Sequence, residues 1–173
     1  MAAIDNTPAN KNFLSPLNFG FQMKRSPNLN FFVQQINLPS ITLPTFNQSS
    51  PLLSIVTPGD HLQYGILNVW FKIDEDFENY MEIHNWIKAL GYPENQYGYK
   101  ALEENSKATG ESLRSDILVI IMNNIKNPNY EIVFKDAFPI ELSEATFQTT
   151  DDTVNYVGAR VTFKYTVYEI NKL

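Results

Sequence analysis

Between Val56 and Pro93 the apolar and polar positions lay out a turn, a strand and a helix in immediate succession. Pro58-Gly59-Asp60 is a turn signal. Leu67, Val69, Phe71 and Ile73 then alternate with Asn68, Trp70 and Lys72, the period of a strand buried mainly on one face. Asp74 stands at an N-cap position, where its carboxylate can accept a bond from a free N–H of the first turn. Glu75, Asp76 and Glu78 put negative charge at the positive end of the helix dipole, and Gly91 with Pro93 supplies the stop. The pattern predicts one helix over about residues 75–90.

The apolar face of that helix is wide. At about 100° per residue, Phe77, Tyr80, Met81, Ile83, His84, Trp86, Ile87 and Leu90 cover more than half the circumference, and Glu78, Glu82, Asn85 and Ala89 form the wet stripe. A helix lying on one sheet buries a narrower stripe. The excess therefore lies either under a second layer of the same chain or against another subunit.

Most of the remaining pattern has a strand period. Residues 1–15 are polar and Asn-rich and read as a flexible arm ahead of a single domain, 16–173. Leu17, Phe19, Phe21 and Met23 alternate with polar neighbours, and Ser26-Pro27-Asn28 predicts a turn into a second strand, Leu29 to Asn37, making an antiparallel hairpin. From Leu38 to Pro58 four prolines punctuate short apolar pieces, so this stretch is edge strand or an excursion from the sheet. It is either a surface loop or an arm reaching a neighbouring subunit. The aliphatic run Leu52 to Val56 would sit poorly in water and favours the arm.

Beyond the helix, a short helix is predicted at Tyr97 to Asn105 and a charged loop at 105–111. Leu113 to Met122 reads as a strand buried on both faces. A turn follows at 123–129, with Ile125 exposed at its centre. Tyr130 to Lys135 pairs back, Phe138-Pro139 marks a corner, Ile140 to Thr149 forms a further strand and Asp151-Asp152 a turn. Val157 to Tyr168 alternates without a break, and at about 3.3 Å per residue so long a strand must bend, with Gly158 as one place to do so, or outrun its sheet. Its polar positions Arg160, Thr162, Lys164 and Thr166 face either plain solvent or a water-filled bore.

Composition narrows the chemistry. The chain has 173 residues, 43% hydrophobic and 13% aromatic, enough for one domain with a proper core. No apolar run approaches the roughly 20 residues of a membrane span, and the first residues lack the pattern of a secretory signal. There is no cysteine, which removes disulfides, thiolate metal sites and a cysteine nucleophile. A net charge of -6 argues against a surface built to grip nucleic-acid phosphates. The two histidines are far apart, His84 read as a core or interface residue and His61 as a surface one; no metal spacing, phosphate loop or nucleophile elbow is present. Helix capping accounts for the acidic run Asp74-Glu75-Asp76. Neither a catalytic residue, a metal site nor a cofactor is expected.

Three segments then stand out together: LPSITL, the central PGDHLQYGILNVWFKIDEDFENYMEIHNWIKAL, and the closing IVFKDAFPIELSEATFQTTDDTVNYVGARVTFKYTVYEI. In order, from about Leu17 to Tyr168, they resemble the tail tube proteins of contractile-tailed, T4-like bacteriophages. Gly59-Asp60 before the strand, Asp74-Glu75 with Trp86 on the helix, and Phe138-Pro139 before the long strand carry the resemblance most specifically. It implies a mainly β, α+β fold: an antiparallel β-sandwich or barrel with one flanking α-helix and a long extended loop. It further implies hexameric rings stacked into a hollow tube, a virion component assembled in the host cytoplasm and not an enzyme. DNA would pass through in transit without specific binding; the partners would be further copies, a sheath protein, and baseplate and terminator proteins, with no membrane. Similar folds occur in type VI secretion tubes.

By the same resemblance Phe46, Leu52, Leu53, Ile55 and Val56 belong to a loop that stacks rings. Tyr80, Ile83, Trp86 and Ile87 would be a helix face at an interface, and Arg160, Thr162, Lys164 and Thr166 would face the bore. The arm, the Pro-rich stretch 39–58 and the loop 105–111 depart from the pattern. They leave open a main tube subunit or a tube-like baseplate initiator or tail-completion protein. From another class, a monomeric ligand-binding β-barrel or a hydrolase on a β scaffold is the remote alternative.

Overall fold

A strand of 15 residues, β9 (Pro128–Leu142), is shared by both halves of the sheet and sets the architecture. The computed structural model describes residues 10–49, 52–91, 100, 113–149 and 156–173. The first half of β9 pairs antiparallel with β8 (Ser115–Met122) on one side and β11 (Val167–Lys172) on the other. Its second half pairs with β10 (Gly158–Lys164). Around this ribbon, β1 (Phe19–Met23) adds to β8, while β7 (Leu67–Lys72) adds to β10 and β2 (Val33–Ile36) to β7. The result is a mainly β, antiparallel sandwich whose two leaves meet along β9.

The corner between the leaves is a local backbone event. Asp136 takes a left-handed φ of 56°, uncommon outside glycine, and its N–H is held at 3.0 Å by the Asp116 carboxylate. Opposite it, the closing strand breaks at Tyr165-Thr166, and the Thr166 N–H bonds to the Lys135 carbonyl. The bend therefore falls at Tyr165 and not at Gly158, because the β10 ladder has to leave one leaf where β9 does. Phe138-Pro139 also lies inside β9 and not at its end, so 130–149 is one strand to Leu142 followed by irregular chain, not two strands. A register shift between Thr162 and Phe163 sits opposite Pro139, which has no N–H to offer the ladder.

One helix differs from expectation. Ser26-Pro27-Asn28 starts α1 (Pro27–Phe32), with Pro27 at the first helical position, where its missing N–H is no loss. Leu29 on this helix is fully buried, and the Asn30 side chain bonds both the N–H and the C=O of Met23. The chain thus reverses through a helix, so β1 and β2 end on opposite edges of the sheet instead of forming a hairpin.

The second helix, α2, runs Glu78–Gly91. It begins later than the Asp74 cap suggests, after a turn in which Phe77 adopts φ 62°. Asp74 still serves the first turn, its carboxylate accepting from the N–H of Asn79 at 3.3 Å. Ile83 and Trp86 enter the same core as Phe71, Phe134, Phe163, Leu67 and Val161. The Trp86 indole N–H reaches the Leu113 carbonyl at 3.1 Å, and Arg25 lies over its ring.

The leaves are buried by alternation. β7 carries Leu67, Val69 and Phe71 inward as predicted. β8 is less enclosed than its unbroken apolar run suggests: Ser115, Ile117 and Val119 are buried, Asp116 is exposed, and Leu118 and Ile120 on the outer face are half-buried. His84 is exposed on the side of α2 away from the core, and His61 is exposed as expected. The predicted helix at 97–105, the loop at 105–111 and the turn at Asp151-Asp152 lie outside the described residues.

Two outcomes follow from this packing. Phe163 has no exposed surface and stacks on Trp86 with ring centroids 6.2 Å apart, so Phe163→Ala should destabilise the fold by about 3–5 kcal/mol. Urea denaturation of the two proteins measures this. Burial pushes the Glu82 carboxyl up, with Glu78 and Asp74 adding to the effect against the hydrogen bond from Asn28. Since the folded state holds this proton more tightly than the unfolded chain, its stabilisation is complete below the unfolded value and is lost as pH rises through the folded one. Glu82→Gln should therefore melt at a higher temperature than the parent at pH 7, with the gap closing below about pH 4.

Candidate assembly surface

The segment between β2 and β7 leaves the sandwich and returns to it. β3 (Ile41–Thr42) pairs with β6 (Gln63–Tyr64), and beyond them β4 (Thr45–Ser49) pairs with β5 (Ser54–Pro58) as a two-stranded ribbon. Residues Thr45 to Ser49 and Ser54 to Val56 are all exposed. A two-stranded hairpin alone is marginal in water, and both of its edges present unpaired N–H and C=O groups. Proline at 44 and 58 brackets the ribbon, which is where a chain leaving a sheet can accept it.

The base of the ribbon is held tightly. The Gly59 N–H bonds the Pro44 carbonyl at 2.7 Å, and a Cβ added at Gly59 would lie 2.6 Å from that same oxygen, so only glycine closes the base this way. Tyr64 on β6 packs on Tyr165 and Tyr168, with centroids 6.1 and 5.5 Å apart, and the Tyr168 hydroxyl donates to the Pro39 carbonyl. The arm is therefore anchored on the aromatic corner where the leaves meet. Burial drives the Tyr165 phenol up to about 12, with Tyr168 and Tyr64 contributing, and its hydroxyl has no partner among the described residues.

Cross-strand register sorts the exposed side chains. Phe46 faces Thr57 and Gln48 faces Ile55, so Phe46 and Ile55 share one face while Val56, opposite Asn47, is on the other. Leu52 and Leu53 stand at the tip, 97% and 69% exposed. The five residues named from sequence thus fall on one projecting element, left uncovered by the described residues.

The other two groups of residues behave differently. Ile83 and Trp86 are buried in this chain's own core, and Tyr80 and Ile87 are half-buried against it. The intrachain alternative accounts for all four, and the excess apolar surface of α2 reduces to Met81 and its exposed neighbour His84. Arg160, Thr162 and Lys164 do share the outer face of β10. Thr162, however, is buried and bonds Asn68, while Arg160 pairs with Glu141 at 3.3 Å. Lys164 and Thr166 remain exposed.

Sequence reasoning missed a second apolar surface. Phe13 and Leu14, from the irregular stretch before β1, are exposed and line a cleft with Ile125 of the β8–β9 turn and Tyr130 of β9. The turn already marks Ile125 as an exposed apolar residue, but its proximity to Phe13 and Leu14 is tertiary. Among the described residues no group of three or more His, Asp or Glu side chains could hold a metal. The clefts there include one of about 870 Å³, open to solvent and lined by Lys24, Arg114, Asp116 and Asp136 among others, with no arrangement of nucleophile and base.

No protein-family model matches the sequence, and no curated protein matches it. Solved structures do match the fold. A chain of the anti-feeding prophage tube-terminating cap superposes with a TM-score of 0.68 at 13% identity, covering 100% of both chains. A chain of the sheath/tube terminator of PVC, an extracellular contractile injection system, gives 0.66 at 12% identity over 94% of this chain and 99% of the other. A chain of the PVC sheath–tube complex gives 0.59 at 12% identity over 100% and 99%. At 12–13% identity these likenesses speak for the fold alone: this chain shares the fold of chains from the terminating cap, the sheath/tube terminator and the sheath–tube complex of contractile injection systems.

Proposed function

We propose that this protein is a structural, non-catalytic subunit that assembles with copies of itself into rings stacked as the inner tube of a contractile, tail-like particle. The observation that carries the reading is the β4–β5 ribbon, which projects Leu52, Leu53, Ile55, Val56 and Phe46 into solvent from a rigid base. Fully burying a Leu or Ile side chain stabilises by about 1.5–3 kcal/mol, so a ribbon covered by a neighbouring copy supplies the drive for association. The unpaired edges of the ribbon point the same way.

Sixfold rings, a DNA cargo, a sheath outside and baseplate and terminator partners at the ends belong to this proposal. So does a place in a phage tail put together in the host cytoplasm. Lys164 and Thr166 are assigned to the bore, and the Arg160–Glu141 pair leaves little net charge beside them. With an overall charge of -6 such a conduit would let a polyanion slide without sticking. A cap or initiator at one end of the tube is the second reading, favoured by the similarity to a tube-terminating cap.

Electron microscopy of the purified protein separates the two readings: long hollow tubes mark a main tube subunit and single rings an end protein, whereas a stable monomer at micromolar concentration removes both. The paired substitutions Leu53→Lys and Ile55→Lys should lower the assembled fraction at least ten-fold with the circular dichroism spectrum unchanged, because both side chains lie outside the core. Tubes that persist with both lysines in place overturn the role given to the ribbon.

A further inference from the structure

We infer that the tip of the β4–β5 ribbon docks into the cleft between the segment before β1 and the β8–β9 turn of another copy, a partner assignment that rests on the assembly reading above. The cleft has a volume of about 450 Å³, and Phe13, Leu14, Ile121, Ile125 and Tyr130 supply its apolar surface. Phe13 is 93% and Ile125 81% exposed, so the described residues leave this surface open.

Charge character selects the occupant. All the other residues lining the cleft are asparagines, and none of its lining carries a charge. The ribbon belongs to a stretch in which no Asp, Glu, Lys or Arg occurs between Arg25 and Asp60, although 18% of the chain is charged. A neutral, aliphatic tip enters a neutral, aliphatic cleft without stripping water from an ion. The larger cleft beside β1 is lined by Lys24, Arg114, Asp116 and Asp136 and would impose that cost. The asparagine amides, in turn, offer donors and acceptors to the unpaired backbone edges of a ribbon.

The turn wall of the cleft is also fixed before contact. The Asn123 carboxamide accepts from the N–H groups of Ile125 and Asn127 at 2.9 and 3.0 Å, and Lys126 adopts φ 63°, which fixes the turn with Ile125 pointing out. Asn124 donates to the Phe13 carbonyl at 3.4 Å and ties the two walls together. An anchor held in place before contact loses little freedom on docking. Because tip and cleft are different surfaces of one chain, the contact is heterologous and propagates from copy to copy.

The absence of native cysteine makes the test clean. Tagged Leu53→Cys protein is mixed with untagged Ile125→Cys protein, assembled, and oxidised with copper phenanthroline. The expected result is a disulfide-linked pair containing one tagged and one untagged chain, absent from either variant alone and from a control pairing of Leu53→Cys with Lys24→Cys. Assembled particles that yield no such pair, or Leu53→Cys linked only to itself, overturn the docking assignment and leave the tube reading standing. Mixtures in which every chain elutes as a monomer overturn both. A charge exchange gives an independent check: Leu53→Lys and Ile125→Asp each block assembly alone, and combined in one chain they restore it at least in part.

Discussion

The pairing of β9 with the β10–β11 strand is the constraint from which the rest of the molecule follows. Hydrogen bonds run along both halves of this ribbon, and it turns at the left-handed Asp136 and the break at Tyr165-Thr166. Once the ribbon bends there, two leaves face each other and their alternating residues close on Phe71, Phe134 and Phe163. The helices fill what remains. The aromatic side chains at the bend, Tyr165 and Tyr168, also form the footing for the projecting arm, so core and assembly element share one structural origin.

Much of this was legible in residue order, and the exceptions have physical causes. The strand Leu67–Lys72 and the end of α2 were readable because alternation and helix punctuation are local signals. α1 was not, since a helix of six residues is too short to show a period, and its Ser-Pro start is also a turn signal. Pro139 looked like a strand end because proline cannot donate to a ladder; the register shift opposite it is what permits β9 to continue. The burial of Thr162 depends on Asn68 and Glu141 from two other strands, so no inspection of β10 alone finds it. The apolar ribbon was visible as a neutral aliphatic run. Its cleft was not, because it joins residues near 13 and near 125 that only the fold brings together.

Within the chain, apolar surface divides into two kinds. Ile83 and Trp86 on α2 were candidates for contact with a neighbour, yet they are spent on the chain's own core. Leu52, Leu53, Phe13 and Ile125 have no such cover. The distinction is one of element support: α2 rests on a leaf, whereas the ribbon and the β8–β9 turn extend past it. Surfaces that differ from each other and are both uncovered favour open-ended growth over a closed pair.

The long stretch without ionisable side chains has a thermodynamic consequence for any joint made from it. Contacts between exposed ions fade as electrolyte is added, because counterions screen them. A joint of aliphatic side chains and amides has nothing to screen, and excluded solutes such as sulfate tighten it. Its weakness is chilling, since the hydrophobic driving force declines toward freezing. Brine would leave such a particle intact, and ice-water would be the condition that loosens it.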